Sequence, residues 1–76
     1  MNLCDLKPGQ KARVASLLND GAIFRRLIDI GLIEGTEVEC VGVSPMGNPK
    51  AYLIRGAIIA LRDEASSYIK VSEIWD

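Results

Sequence analysis

Turn-forming residues divide this chain at short intervals, and that punctuation constrains its fold more than any other feature. Pro8-Gly9, Asn19-Asp20-Gly21, Glu34-Gly35-Thr36, the segment from Ser44 to Pro49 and Gly56 each interrupt the apolar pattern. Short elements lie between them. Leu6-Lys7-Pro8-Gly9-Gln10 fits a type II turn, with the glycine supplying positive φ. Ala12, Val14 and Ser16 then alternate with Lys11, Arg13, Ala15 and Leu17, the period of a strand. Asn19 or Asp20 can cap a helix. After them Ile23, Phe24, Leu27, Ile28 and Ile30 recur at helical spacing as one apolar stripe, with Arg25, Arg26 and Asp29 on the other side. Arg25 and Asp29 stand one turn apart, a pair worth ~0.3 kcal/mol. Gly31 suits the left-handed residue that ends a helix, and Leu32 can fold back onto Leu27.

The second half reads mainly as strands. Val38, Cys40, Val41 and Val43 form a β-branched run, and Ser44-Pro45-Met46-Gly47-Asn48-Pro49 makes an ordered loop. Ala51 to Arg55 and Ala57 to Leu61 flank Gly56 as a hairpin or a sharply bent strand, with Gly56 where side chains must be absent. Arg62 to Tyr68 is expected to form a second short helix with Leu61, Ala65 and Ile69 on its inner face. Val71, Ile74 and Trp75 belong to a last strand. Strands of this length with two short helices suggest a small barrel, SH3-like with a helical insert, or an OB-like rival that periodicity alone does not separate. With 76 residues, one domain spanning 1–76 is expected.

Composition narrows the chemistry. The formal net charge is −1, where a nucleic-acid binder needs a basic excess. The aromatics Phe24, Tyr52, Tyr68 and Trp75 are dispersed rather than interleaved with a basic face. There is no histidine, so Ser-His or Cys-His nucleophilic catalysis lacks its base. No Gly-x-x-x-x-Gly-Lys-Ser/Thr run occurs to bind nucleotide phosphates. Cys4 and Cys40 are too few for a secreted disulfide scaffold and are expected as reduced thiols, Cys40 as a small core residue. Glu37 and Glu39 are expected to be solvated rather than to bind metal. No catalytic residue, metal site or cofactor is expected. Met1-Asn2-Leu3-Cys4 faintly resembles a lipoprotein cleavage site, but no charged and apolar region precedes it, so no signal peptide is expected. No apolar run approaches the roughly 20 residues that cross a bilayer.

Four segments then match one pattern. Arg26-Leu27-Ile28-Asp29-Ile30-Gly31-Leu32-Ile33-Glu34-Gly35-Thr36-Glu37-Val38 resembles the "RLLDLGLIPGTEV" signature of FeoA domains. Ser44 to Pro49 resembles that family's "APLGDP" loop, and Arg55-Gly56 with Ile59-Ala60-Leu61-Arg62 its "RGYELALR" segment. Leu3-Cys4-Asp5-Leu6-Lys7-Pro8-Gly9 resembles "LSDLKPG". Together they run from about Leu3 to Val71. Glu34 replaces the usual proline and Asn48 the usual aspartate. The resemblance implies an SH3-like barrel in the cytoplasm, working with FeoB, a membrane protein that moves ferrous iron and carries a cytoplasmic GTP-binding domain. The same domain type ends DtxR-like metal-dependent repressors, so a stand-alone relative of that repressor tail is the alternative.

A partner-binding role directs attention to Arg25 and Arg26 on the helix and to Pro45, Met46, Gly47, Asn48 and Pro49 in the loop. Arginine is enriched in interfaces, and a rigid loop can present Met46 as an apolar knob. No nucleic acid and no direct membrane insertion are expected. Leftover apolar surface on so thin a core leaves room for weak self-association.

Overall fold

The computed structural model describes residues 1–18 and 21–76. Its five strands are β1 (Lys11–Leu17), β2 (Glu37–Val43), β3 (Lys50–Ile54), β4 (Ala57–Leu61) and β5 (Ile69–Trp75). They form one antiparallel sheet in the order β4-β3-β2-β1-β5. Helix α1 (Gly21–Ile30) joins β1 to β2, and helix α2 (Asp63–Ser66) joins β4 to β5. The molecule measures 29 × 25 × 23 Å, so the sheet is coiled round its core rather than spread flat. This is the SH3-like barrel with a helical insert that the pattern predicts. Among the described residues, however, no ladder joins β4 to β5. The seam between them is filled by α2 and by a 3-10 turn at Leu3–Asp5, which brings Leu3 and Leu6 into the core.

The core is small, and Tyr52 is the largest side chain completely inside it. Around it are Leu3, Leu6, Leu27, Leu32, Ile54 and Ile69, with Val14, Val38 and Cys40 filling the gaps. The Tyr52 hydroxyl donates to the Leu3 carbonyl at 3.5 Å, a long bond that still gives a buried polar group a partner. Burial holds its phenol above the usual tyrosine range. Cys40 is fully buried, as its apolar strand suggests, and its thiol donates to the Gly42 carbonyl at 3.8 Å.

Helix α1 ends as the glycine signal predicts. Gly31 has φ 105°, its N–H donates to the Ile28 carbonyl at 2.9 Å, and the Leu32 N–H donates to the Leu27 carbonyl at 3.1 Å. This is the Schellman pattern, and Leu27 and Leu32 are both buried in the one core cluster. The expected cap at Asn19 or Asp20 lies outside the described residues.

Several expectations change. The apolar stripe of α1 divides: Leu27 is buried and Ile23 and Ile30 pack on the core, whereas Phe24 and Ile28 line an outward groove with Arg25 and Asp29. Five apolar positions span more of the helix circumference than one barrel face can cover. Arg25 and Asp29 form no ion pair there. In β1 an irregularity between Val14 and Ser16 shifts the phase, so Leu17 packs on the core and Ser16 is exposed. Helix α2 spans only one turn, because the Ser66 and Ser67 hydroxyls bond back to the carbonyls of Arg62 and Glu64 and Ile69 is recruited into β5. Ser66 rather than Ala65 is its buried residue. Of the hairpin and the bent strand, the hairpin is formed, turning through Arg55 and Gly56 with φ of 50° and 83°, but the reason for the glycine differs. Gly56 has open space around it, so handedness rather than crowding selects the glycine.

Candidate partner-binding surface

The sequence candidates occupy two sides of a cleft that the fold creates between α1 and the end of β4. Ile23, Arg26 and Leu27 form the helix side, and Pro49, Leu61 and Ala65 face them. Leu61 and Leu27 give it an apolar floor because both belong to the core. At the rim stand Arg26, Arg62 and Glu64, a mixed but predominantly basic set. The cleft's volume, about 330 Å³, is at the small end of the range of binding clefts.

Loop geometry explains Pro49's place. The Gly47 N–H donates to the Ser44 carbonyl at 2.8 Å and the Ser44 N–H to the Pro49 carbonyl at 3.2 Å, closing the loop on itself. Gly47 has φ 85° and supplies the reversal. The Asn48 side chain is engaged internally: its Oδ1 accepts the Asp63 N–H at 3.0 Å and so caps α2. Lys50 beneath the loop ties it to the N-terminal turn, donating to the Cys4 carbonyl and lying 3.7 Å from Asp63 Oδ1.

The structure therefore sorts the seven candidates. Arg26 and Pro49 share the cleft. Arg25 opens onto the outward groove with Phe24 and Ile28. Pro45, Met46 and Gly47 form an exposed loop tip that lines neither depression, with Met46 90% exposed. Asn48 serves the fold. Sequence reasoning passed over Arg62, Glu64, Ala60 and Ala65. Ala60 and Leu61 face opposite ways along β4, so alternation alone does not bring both to the cleft.

Elsewhere the charged side chains are structural or solvated. Arg13 pairs with Glu73 at 3.2 Å and stacks 5.7 Å from the Trp75 ring. Glu37 is exposed and Glu39 half-buried. Among the described residues, no three histidine, cysteine, aspartate or glutamate side chains converge as metal ligands would. Among the same residues, no helix is long and apolar enough to cross a membrane.

Comparison with known proteins gives a consistent picture. The family model described as "FeoA domain" matches residues 1–73. A Porphyromonas gingivalis protein described as an Fe(2+) transport protein A/Fe(2+) transporter FeoB fusion is 27% identical over 74 residues, covering 97% of this chain. The chain spans only 9% of that relative's length. Iron(II) transport protein A from Clostridium thermocellum is 35% identical, with a TM-score of 0.88 over 93% of this chain and 44% of its own. FeoA from Stenotrophomonas maltophilia, described as a procaryotic SH3 domain protein and solved with zinc, is 30% identical. Its TM-score is 0.85 over 95% of this chain and 89% of its own.

Proposed function

Because the chain belongs to the FeoA domain family, which is involved in ferrous iron transport, we propose that it is a cytoplasmic accessory of iron uptake that binds the cytoplasmic part of an FeoB-type transporter. The observation that carries this reading is the Porphyromonas gingivalis relative, in which an A part and a B part are one polypeptide. A covalent link raises the effective concentration of one part near the other to roughly millimolar, which favours even a weak contact between them. A chain not linked in this way would have to supply the affinity through its own surface.

The α1–loop side offers such a surface. Arg26 and Pro49 line a cleft with an apolar floor, and Met46 is exposed at the tip of the loop that ends at Pro49. A side chain that buries apolar area there gains roughly 25 cal/mol per Å². The role is one of binding, not catalysis: the chain lacks histidine and a phosphate-binding loop, and nucleotide chemistry belongs to the partner. The test is direct titration of the chain with the cytoplasmic domain of the FeoB-type transporter from the same genome, followed by calorimetry. Saturable binding at equal stoichiometry is expected. Absence of heat and of any NMR shift at hundreds of micromolar would end this reading.

A further inference from the structure

The two ends of the sheet are finished differently. At β5, Asn2 bridges Lys70, the Val71 N–H donates to the Met1 carbonyl at 2.8 Å, and Glu73 kinks the strand at φ 55°. Lys70 and Glu73 also place charge on it. Pairing, kinking and charge are the usual means of keeping an end strand from accepting another. The β4 strand has none of the three. Ala57-Ile58-Ile59-Ala60-Leu61 is uncharged and pairs with β3 in unbroken register from Lys50↔Leu61 to Ile54↔Ala57. Ile58 is 69% exposed.

The hairpin determines which main-chain groups of β4 point outward. Arg55 and Gly56, both at positive φ, make a two-residue turn of the mirror-image type that closes on Ile54 and Ala57 as a hydrogen-bonded pair. Alternation then aims the N–H and C=O of Ile59 and Leu61 at β3, and those of Ile58 and Ala60 away from the sheet. Among the described residues, Ile58 and Ala60 make no main-chain bond to any turn, loop or cap. The cleft beside α1 adjoins this edge. Ala60 and Leu61 both line it, and successive strand residues face opposite ways, so a cleft touching both lies along the strand's margin.

We propose that the outer edge of β4 is a strand-addition site, where an extended segment of the transporter partner pairs with Ile58 and Ala60 and seats an apolar side chain in the cleft. The proposal rests on the partner-binding reading above. The occupant follows from the chemistry of the edge. A row of outward N–H and C=O groups is matched by extended backbone and not by a helix face. Leu27, Leu61 and Ala65 beside it select an apolar residue at one position of that strand, and Arg26 with Arg62 at the rim favours an acidic neighbour.

The test uses the whole ¹⁵N-labelled chain and the transporter's cytoplasmic domain. In the complex, amide exchange of Ile58 and Ala60 should slow at least tenfold. Ala60→Pro removes an outward N–H at an edge position where proline is tolerated, and Ile58→Lys charges the edge. Each should weaken binding at least tenfold while the amide spectrum of the free chain stays folded. A complex that forms with unchanged exchange at these two amides, or that both variants form as well as the parent, overturns the inference and leaves the binding reading intact. Slowing that appears on concentrating the chain alone assigns the edge to a second copy and also overturns it. Absence of any complex overturns the binding reading, and this inference with it.

Discussion

Asn48 in the β2–β3 loop caps the helix that begins at Asp63: its side-chain oxygen accepts the Asp63 N–H at 3.0 Å across a separation of fifteen residues. Asp63 in turn lies 3.7 Å from the Lys50 ammonium, which also holds the Cys4 carbonyl. Asn48 thus ties the loop to α2, and Lys50 at the start of β3 ties both to the N-terminal turn. Asn48→Ala should destabilise the chain by about 1 kcal/mol, the ordinary value of a lost cap. Asn48→Asp keeps an acceptor and should stay within about 0.5 kcal/mol of the parent. Urea unfolding of the three proteins checks both, and equal midpoints for Ala and Asn would show that the cap contributes nothing.

Gly31 tests a different constraint. Its φ of 105° already disfavours a side chain, and an added Cβ would come within 2.8 Å of the Arg55 Cδ. Arg55 would have to move, losing the bond from its Nε to the Gly31 carbonyl at 3.3 Å. Gly56 has φ 83° with no neighbour within 4 Å, so alanine there meets the backbone penalty alone. Gly31→Ala should therefore cost more than Gly56→Ala, where about 1–2 kcal/mol is expected from handedness. Paired thermal melts give the ranking, and the reverse order would contradict it.

These positions show how unevenly the structure was legible beforehand. Gly31 and Leu32 were readable because a helix end has a local chemical signature. The β3–β4 hairpin was partly readable, since Gly56 marked the turn but nothing chose between a hairpin and a bend. The burial of Leu3 and Leu6 was not readable by period, because a 3-10 turn is too short to repeat. The phase slip in β1 comes from pairing with β5, a tertiary effect absent from the residues of β1 themselves. Arg26 and Pro49 were singled out separately as interface residues, but the cleft they share depends on where α1 settles against β4. Asn48 was singled out for the same loop, and only the fold shows its side chain turned inward.

Alkaline pH should unfold this chain through two buried acids. Burial raises the Cys40 thiol above its ordinary value of 9.0 and the Tyr52 phenol above 10.0. In the unfolded chain both groups lose their protons at the ordinary values, while the folded chain keeps them. The folded state then binds more protons, so stability is flat below about pH 9 and falls as pH rises. Each group adds a slope of roughly 1.4 kcal/mol per pH unit once its unfolded form has ionised. Tyr52→Phe should reduce the slope above pH 10 while leaving the onset near pH 9. Denaturant midpoints from pH 7 to pH 11 measure it, and identical slopes in both proteins would remove Tyr52 from the account.

The partner surface can be tested by reversing one charge and adding another at sites that cost the fold little. Arg26 and Met46 are both exposed, so Arg26→Glu and Met46→Glu should each change stability by no more than about 0.5 kcal/mol. Their expected effects on binding differ in kind. Arg26→Glu leaves Arg62 alone against two carboxylates at the cleft rim, so it should slow association and alter its salt dependence. Met46→Glu removes an apolar contact at the loop tip and should act on dissociation, by about tenfold if the side chain is buried in the complex. Stopped-flow association and dissociation with the transporter's cytoplasmic domain separates the two. If Arg26→Glu leaves the association rate and its salt slope unchanged, the cleft rim is not the docking face. If Met46→Glu dissociates like the parent, the loop tip stays in solvent when the partner is bound.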